Sequence, residues 1–155
     1  MENSLRARKR MRQCGIATIE FAIVAPVLLL LMLATAELGR AFYTYNTLTK
    51  LVRDGARYVS TVANEGGGID LTSQKIGDTK NLVVYGMTAG GSQPLLPGLT
   101  IGDVTVSEAD AEHVQVNAVY PYLPLFAGGI PTYGFGSGNI SVSFNMSASV
   151  TMRAL

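Results

Sequence analysis

The sequence predicts an α+β protein: a long N-terminal membrane-spanning helix packed on a C-terminal antiparallel β-sheet. Three observations carry that prediction. Ile16 to Ala36 is an apolar run of 21 residues broken only by Glu20. Beyond it, apolar residues recur every three or four positions as far as Val62. Near the other end, apolar and small polar residues alternate strictly from Ile140 to Met152. The totals agree with a membrane-attached chain: of 155 residues, 48% are hydrophobic and only 15% charged, which is low for a soluble domain. A net charge of +1 offers no clustered basic face for nucleic acid. A single cysteine excludes an intrachain disulfide and any multi-cysteine metal site.

Residues 1–15 form a basic leader, in which Arg6, Arg8, Lys9, Arg10 and Arg12 face only Glu2. Residues 16–38 follow as the membrane segment. As a helix, 21 residues span about 31 Å, the hydrocarbon thickness of a bilayer. Basic residues before the run and none directly after it place the N-terminus in the cytoplasm and the remainder across the membrane. A cleaved secretory signal would need a shorter apolar run, although Ala34-Thr35-Ala36 imitates its cleavage site. A lipoprotein would need its cysteine after the run, whereas Cys14 precedes it. An uncleaved signal anchor fits the segment equally well, apart from one residue.

That residue is Glu20. A carboxylate at the centre of a membrane helix costs about 2.5–3.5 kcal/mol, and less toward the interface. A cut after Gly15 would give Ile16 a free amine, and a staggered neighbouring helix could bring that amine to Glu20. At about 4 Å and an effective dielectric near 20 the pair attracts by roughly 4 kcal/mol before desolvation. Snorkelling of Glu20 to the cytoplasmic interface is the alternative, and physics alone leaves both open.

Here the residues resemble a known family. A short basic leader ending in Gly15, then Ile16-Ala17-Thr18-Ile19, Glu20 and Phe21, looks like a class III prepilin leader. The longer stretch is similar to the TadE-like pseudopilins of the tight-adherence (Tad/Flp) pilus, a type IV pilus system. It shares Glu20-Phe21-Ala22, Ala25-Pro26, Glu37 to Arg40 and Asp54 to Arg57, with Val119 to Tyr122 and Val150 to Arg153 toward the end. The resemblance implies cleavage between Gly15 and Ile16 by a prepilin peptidase, and an assembly role for Glu20 and Phe21 between subunits. It implies partners: the membrane, the peptidase, other pilins and the pilus assembly platform. Its location would be the bacterial inner membrane, single-pass, with the C-terminal domain periplasmic before any export into a pilus. Major Flp pilins are far shorter and carry Tyr where this chain has Phe21, so the resemblance implies a minor pilin or pseudopilin supporting pilus assembly, adhesion and biofilm formation. An uncleaved, signal-anchored periplasmic binding module with no filament role is the alternative.

Residues 39–63 read as an amphipathic extension of the same helix. Leu38, Phe42, Tyr45, Leu48, Val52, Ala56, Val59 and Val62 make one stripe at spacings of three and four. Pro26 should kink the helix or loosen a turn, because it removes a backbone donor. Gly39 and Gly55 each cost about 1 kcal/mol against Ala. Arg40, Tyr43 and Tyr45 stand just past the apolar run, where membrane-interface anchors are enriched. Arg53, Asp54 and Arg57 read as a solvated face.

Residues 64–155 are the β-rich domain. Fourteen of the 17 glycines lie from Gly66 onward, and Gly66-Gly67-Gly68 marks the break after the helix. A short helix is expected within residues 70–82, and a loop from Thr88 to Gly98. Val104 and Val106 open one strand; Val114, Val116, Ala118 and Tyr120 alternate in the next, with a turn at 108–112. The strict alternation of 140–152 predicts a half-buried strand. Between them, 121–138 reads as a long connection carrying Tyr122, Phe126, Tyr133 and Phe135. One apolar sheet face needs a cover, and the helix stripe supplies it; this is the pilin-like arrangement that the resemblance also implies.

No residues assemble into a catalytic site. His113 is the only histidine and no cysteine follows the leader, so an ordinary zinc site is out of reach. Neither a nucleophile-elbow nor a phosphate-binding glycine motif occurs. Asp110, Glu112 and His113 read as a solvated hairpin end, and Asn139 and Asn145 begin formal glycosylation sequons. The expectation is therefore no enzyme, no cofactor, no metal and no small-molecule substrate.

Overall fold

The computed structural model describes residues 2–65, 68–125, 138 and 143–155, with side chains from Ile16 onward other than that of Glu65. The architecture is α+β, a long N-terminal helix and a three-stranded antiparallel sheet. The chain divides into two compact units. One holds α1 (Glu2–Val62) as far as Leu38, with Pro124 and Leu125; the other holds Gly39–Leu123 and Ser143–Leu155.

Helix α1 begins at Glu2, well before the expected start at Ile16. The leader carries Arg6, Arg8, Lys9, Arg10, Met11 and Arg12, all strong helix formers, and has no proline or β-branched residue to stop it. The helix also runs unbroken through Pro26, whose ring nitrogen leaves the Ala22 carbonyl without its usual donor. It ends at Val62, where a small antiparallel ladder pairs β1 (Asn64–Glu65) with β2 (Gly68–Ile69) across the glycine break. Gly66 and Gly67 themselves lie outside the described residues.

In the second unit the sheet is built as expected. Its order is β3 (Val104–Asp110), β4 (His113–Tyr122), β5 (Phe144–Arg153), all antiparallel. Register pairs Val106 with Val116 and Val116 with Val150, then Ala118 with Ala148 and Tyr120 with Met146, which puts these residues on one face. That face is buried along β4 at every even position from Val114 to Tyr122. Strand β5 starts at Phe144; the part of the expected strand over 140–142 lies outside the described residues, as do Phe126, Tyr133, Phe135 and the Asn139 sequon.

Against the apolar face lie α2 (Ser73–Tyr85) and the C-terminal part of α1. Thr72 caps α2, its hydroxyl accepting from the Lys75 amide at 3.4 Å. Gly86, at φ 77°, ends it with its amide donating to the Leu82 carbonyl, a left-handed turn that favours glycine. The helix runs three residues past the expected end, because Val83 and Val84 are wholly buried and extend its inner face. Gly55 lies where α1 meets α2: a Cβ built there would fall 2.4 Å from Cγ2 of Val83. The residue is thus glycine because the two helices approach too closely for any side chain.

The buried stripe of α1 in this unit is Ala41, Thr44, Leu48, Val52, Ala56 and Val59, with Ala63 buried just past the helix end. From Leu48 to Val59 this is the expected stripe. Higher up it is not: Phe42 and Tyr45, expected inward, are 61% and 45% exposed, and Leu38 in the other unit is 56% exposed. Ala41 and Thr44 take their place. At that end of the core the sheet contributes the rings of Tyr120 and Tyr122, and only small helix residues leave room for them. Val62 is half-buried, the stripe closing instead on Ala63. The chain end is tied down by the Leu155 amide donating to the Ser60 carbonyl and that of Ala154 to the Glu112 carbonyl, each at 2.8 Å.

Candidate functional site

In the first unit the apolar run is one helical surface, and among the described residues it is largely exposed. Ile16, Ile19, Phe21 and Ile23 are each about two-thirds exposed, and Met32 is 72% exposed. Covering one such side chain is worth about 1.5–3 kcal/mol. A surface of this kind demands either lipid or other apolar helices. The helix is long and apolar enough to cross a membrane once, and none of its most apolar window is buried.

Glu20 stands exposed on this surface, one turn after Ile16 and beside the equally exposed Phe21. A helix of 3.6 residues per turn puts Ile16 and Glu20 on one face. The backbone around Gly15 is helical, so the expected cut position lies within α1 rather than in a loop.

Glu37 closes the apolar run, and sequence reasoning gave it no role beyond the Glu37 to Arg40 motif. It is 5% exposed, with both carboxylate oxygens 3.3 Å from the backbone nitrogen of Leu125, which donates to them. The signal was present: Glu37 is the first charge after sixteen uncharged residues, where a carboxylate needs a donor.

Arg40, Tyr43 and Tyr45 come next, all exposed and all in the second unit. The Arg40 guanidinium lies over the Tyr122 ring, 5.8 Å from its centre, and that ring packs against Phe144 at 5.3 Å. Phe144, expected on the apolar face, is 51% exposed at the edge of this cluster. Nearby, Tyr120 donates from its hydroxyl to the Pro97 carbonyl at 2.8 Å. Burial pushes the Tyr120 hydroxyl pKa up, against an opposing pull from Arg40.

At the far end of the sheet, Asp110, Glu112 and His113 form a hairpin end on the surface. The Asp110 carboxylate accepts from the Glu112 amide at 2.9 Å and lies 2.7 Å from Nδ1 of His113. The Glu112 amide, and secondly the His113 ring, hold the Asp110 carboxyl below the usual carboxylate range. Glu112 meets Arg153 at 3.2 Å across the strands. Among the described residues no group of three or more His, Cys, Asp or Glu is placed to hold a metal ion.

These features define a class: a protein with one apolar, membrane-competent helix whose C-terminal turns form the wall of a small antiparallel-sheet domain. Within the helix, residues 15–57 match the family model of the TadE-like proteins, to which this segment is similar. The match starts at Gly15, takes in Glu20, Pro26 and Glu37, and ends at Arg57, just past the Gly55 crossing. It agrees with the resemblance seen in the residues and supports a Tad-pilus-associated protein. No curated protein and no solved structure matches the chain.

Proposed function

We propose that this chain is a minor pilin or pseudopilin of a Tad/Flp pilus, cut by a prepilin peptidase between Gly15 and Ile16. The observation that carries this reading is a carboxylate, Glu20, on an uncovered apolar helix in the segment that matches the TadE-like family. Isolated in lipid, Glu20 costs up to about 2.5–3.5 kcal/mol. Matched to the Ile16 amine of a neighbouring subunit, it turns that cost into registry, because the attraction is satisfied at one stagger and lost at others. Phe21 beside it adds apolar contact to the same neighbour. The role is structural, with the bilayer, the peptidase, other pilins and the assembly platform as partners, and no catalytic step belongs to the chain itself.

Processed subunits then hold their sheet domains outside the inner membrane and their helices within it until assembly draws them out, supporting adhesion and biofilm formation. The test is a Glu20→Gln variant expressed in a piliated host. It should insert into the membrane at normal levels while pilus assembly falls at least tenfold, the effect of losing about 1.4 kcal/mol or more per contact. Normal assembly by this variant would remove the proposed role of Glu20.

A further inference from the structure

We propose that copies of this chain join edge to edge through their sheet domains, β5 of one copy pairing in parallel with β3 of the next. The contact lies wholly within the second unit and is independent of cleavage at Gly15. Among the described residues neither β3 nor β5 has a strand on its outer side. Exposed edges are usually blunted by proline, bulges or inward charges. Strand β5 has none of these: its ten residues keep one unbroken register with β4, and its single charge, Arg153, is the last residue. Strand β3 is regular from Val104 to Glu108 and bulges only beyond it.

One contact fixes which backbone groups face outward. Ala154 donates to the Glu112 carbonyl, one step beyond the His113–Arg153 pair in the same register. Bonded pairs alternate along an antiparallel ladder, so the even residues of β5 bond to β4 and the odd ones turn N–H and C=O outward. The same alternation, carried across β4, turns the backbone of Val104 and Val106 outward from β3. Through β4, Thr105 stands level with Ser149, Val106 with Val150 and Ser107 with Thr151. Copies side by side at equal height therefore set each of these β5 residues opposite its β3 counterpart. Outward backbone groups then meet, and the apolar faces stay on one side. Val150, half-buried in one copy, gains Val106 of the next.

Charge selects this partner. The register also puts Asp110 level with Arg153, and both side chains are exposed. Arg153 meets its own Glu112 at 3.2 Å, and a guanidinium has donors for a second carboxylate. A β5 edge against another β5 would offer Arg153 no acid, and β3 against β3 would set Glu108 and Asp110 together with no base. A contact between two different edges leaves one of each free, so copies add without closing. At about 20–25° of twist per strand, three strands turn each copy by about 60–75°, and the row winds.

Disulfide trapping in the full-length chain with Cys14→Ser tests this contact. Opposed residues on neighbouring strands hold their Cβ atoms about 4.5–5.5 Å apart. Thr105 and Ser149 of one copy instead flank Asn117, about 10 Å apart and too far for a disulfide. The variant carrying both Thr105→Cys and Ser149→Cys, oxidised in detergent micelles, should therefore give a ladder of dimers, trimers and higher multimers. Adding Thr151→Pro, which removes an outward N–H and no bond to β4, should cut that ladder roughly tenfold. Arg153→Glu, a surface change that sets like charges against Asp110 of the next copy, should weaken it several-fold. Monomer alone from the two-cysteine variant would overturn the inference. Equal dimer from Ser149→Cys by itself would also overturn it, by showing β5 against β5. A ladder indifferent to both Thr151→Pro and Arg153→Glu would do the same, by placing the contact elsewhere.

Discussion

Replacing Gly55 with alanine tests how closely the two helices α1 and α2 cross. Alanine is the better helix former by about 1 kcal/mol, so on local grounds Gly55→Ala should stabilise. The structure reverses the sign. The new methyl would stand 2.4 Å from Cγ2 of Val83, against 3.4–4 Å for ordinary contact, so about 1 Å must be found. Val83 cannot supply it, being fully buried and β-branched on a helix, where one χ1 rotamer dominates. Helix α2 must therefore back away, at an overpacking cost of about 1–3 kcal/mol. After the propensity gain, a net loss of up to about 2 kcal/mol remains, or up to roughly 15 °C in Tm for a domain of this size. The control is Gly77→Ala within α2, which meets nothing within 4 Å and should gain up to about 1 kcal/mol. Both are measured by thermal unfolding of the full chain in detergent, followed by the near-ultraviolet signal of its tyrosines. In a Val83→Ala background the Gly55→Ala penalty should vanish, which a double-mutant cycle reads directly. Equal stabilisation by Gly55→Ala and Gly77→Ala would refute the close crossing.

Three further outcomes follow from the second unit's polar contacts and from Glu37. Tyr120→Phe removes the donor to the Pro97 carbonyl and should cost about 1–2 kcal/mol in the same unfolding assay. Because burial raises the Tyr120 pKa, its contribution is complete below the ordinary tyrosine value near 10 and is lost as pH rises above it; Tyr120→Phe should flatten that alkaline loss. Asp110 has the opposite sign: its lowered pKa gives stability present above the ordinary carboxylate range and lost as pH falls through the folded value, so Asp110→Asn should blunt the acid side of the profile. Glu37→Leu removes the acceptor for the Leu125 amide and should raise hydrogen exchange there about fivefold, for a bond worth about 1 kcal/mol, with Glu37→Gln intermediate.

The sheet was legible because period two is rarely accidental over so many residues. Val114 to Tyr120 and Met146 to Val150 face where alternation puts them. The helix stripe was legible only where its inward residues are also its most apolar ones, from Leu48 to Val59. Above that, hydrophobicity points outward, to Leu38, Phe42 and Tyr45, while Ala41 and Thr44 face in beside bulky rings. A pattern that weighs apolarity cannot see a position chosen for small size. Gly55 escaped for a related reason: its meaning depends on Val83, 28 residues away, and nothing local records that crossing. Glu20 was visible as an anomaly, because a carboxylate in an apolar run has a cost that needs a partner. Glu37 showed the same anomaly at the other end of the run, and its donor, Leu125, lies 88 residues on.

The central claim is that the helix starting at Ile16 is the product of a specific cut. The most direct test is the N-terminal residue and intact mass of protein taken from native membranes, with and without the host's prepilin peptidase. The account predicts a chain beginning at Ile16 in the peptidase's presence and at Met1 in its absence. Intact Met1 in a competent host would contradict it in favour of an uncleaved anchor, and a start near Glu37 would show an ordinary signal peptide and end the case for Glu20.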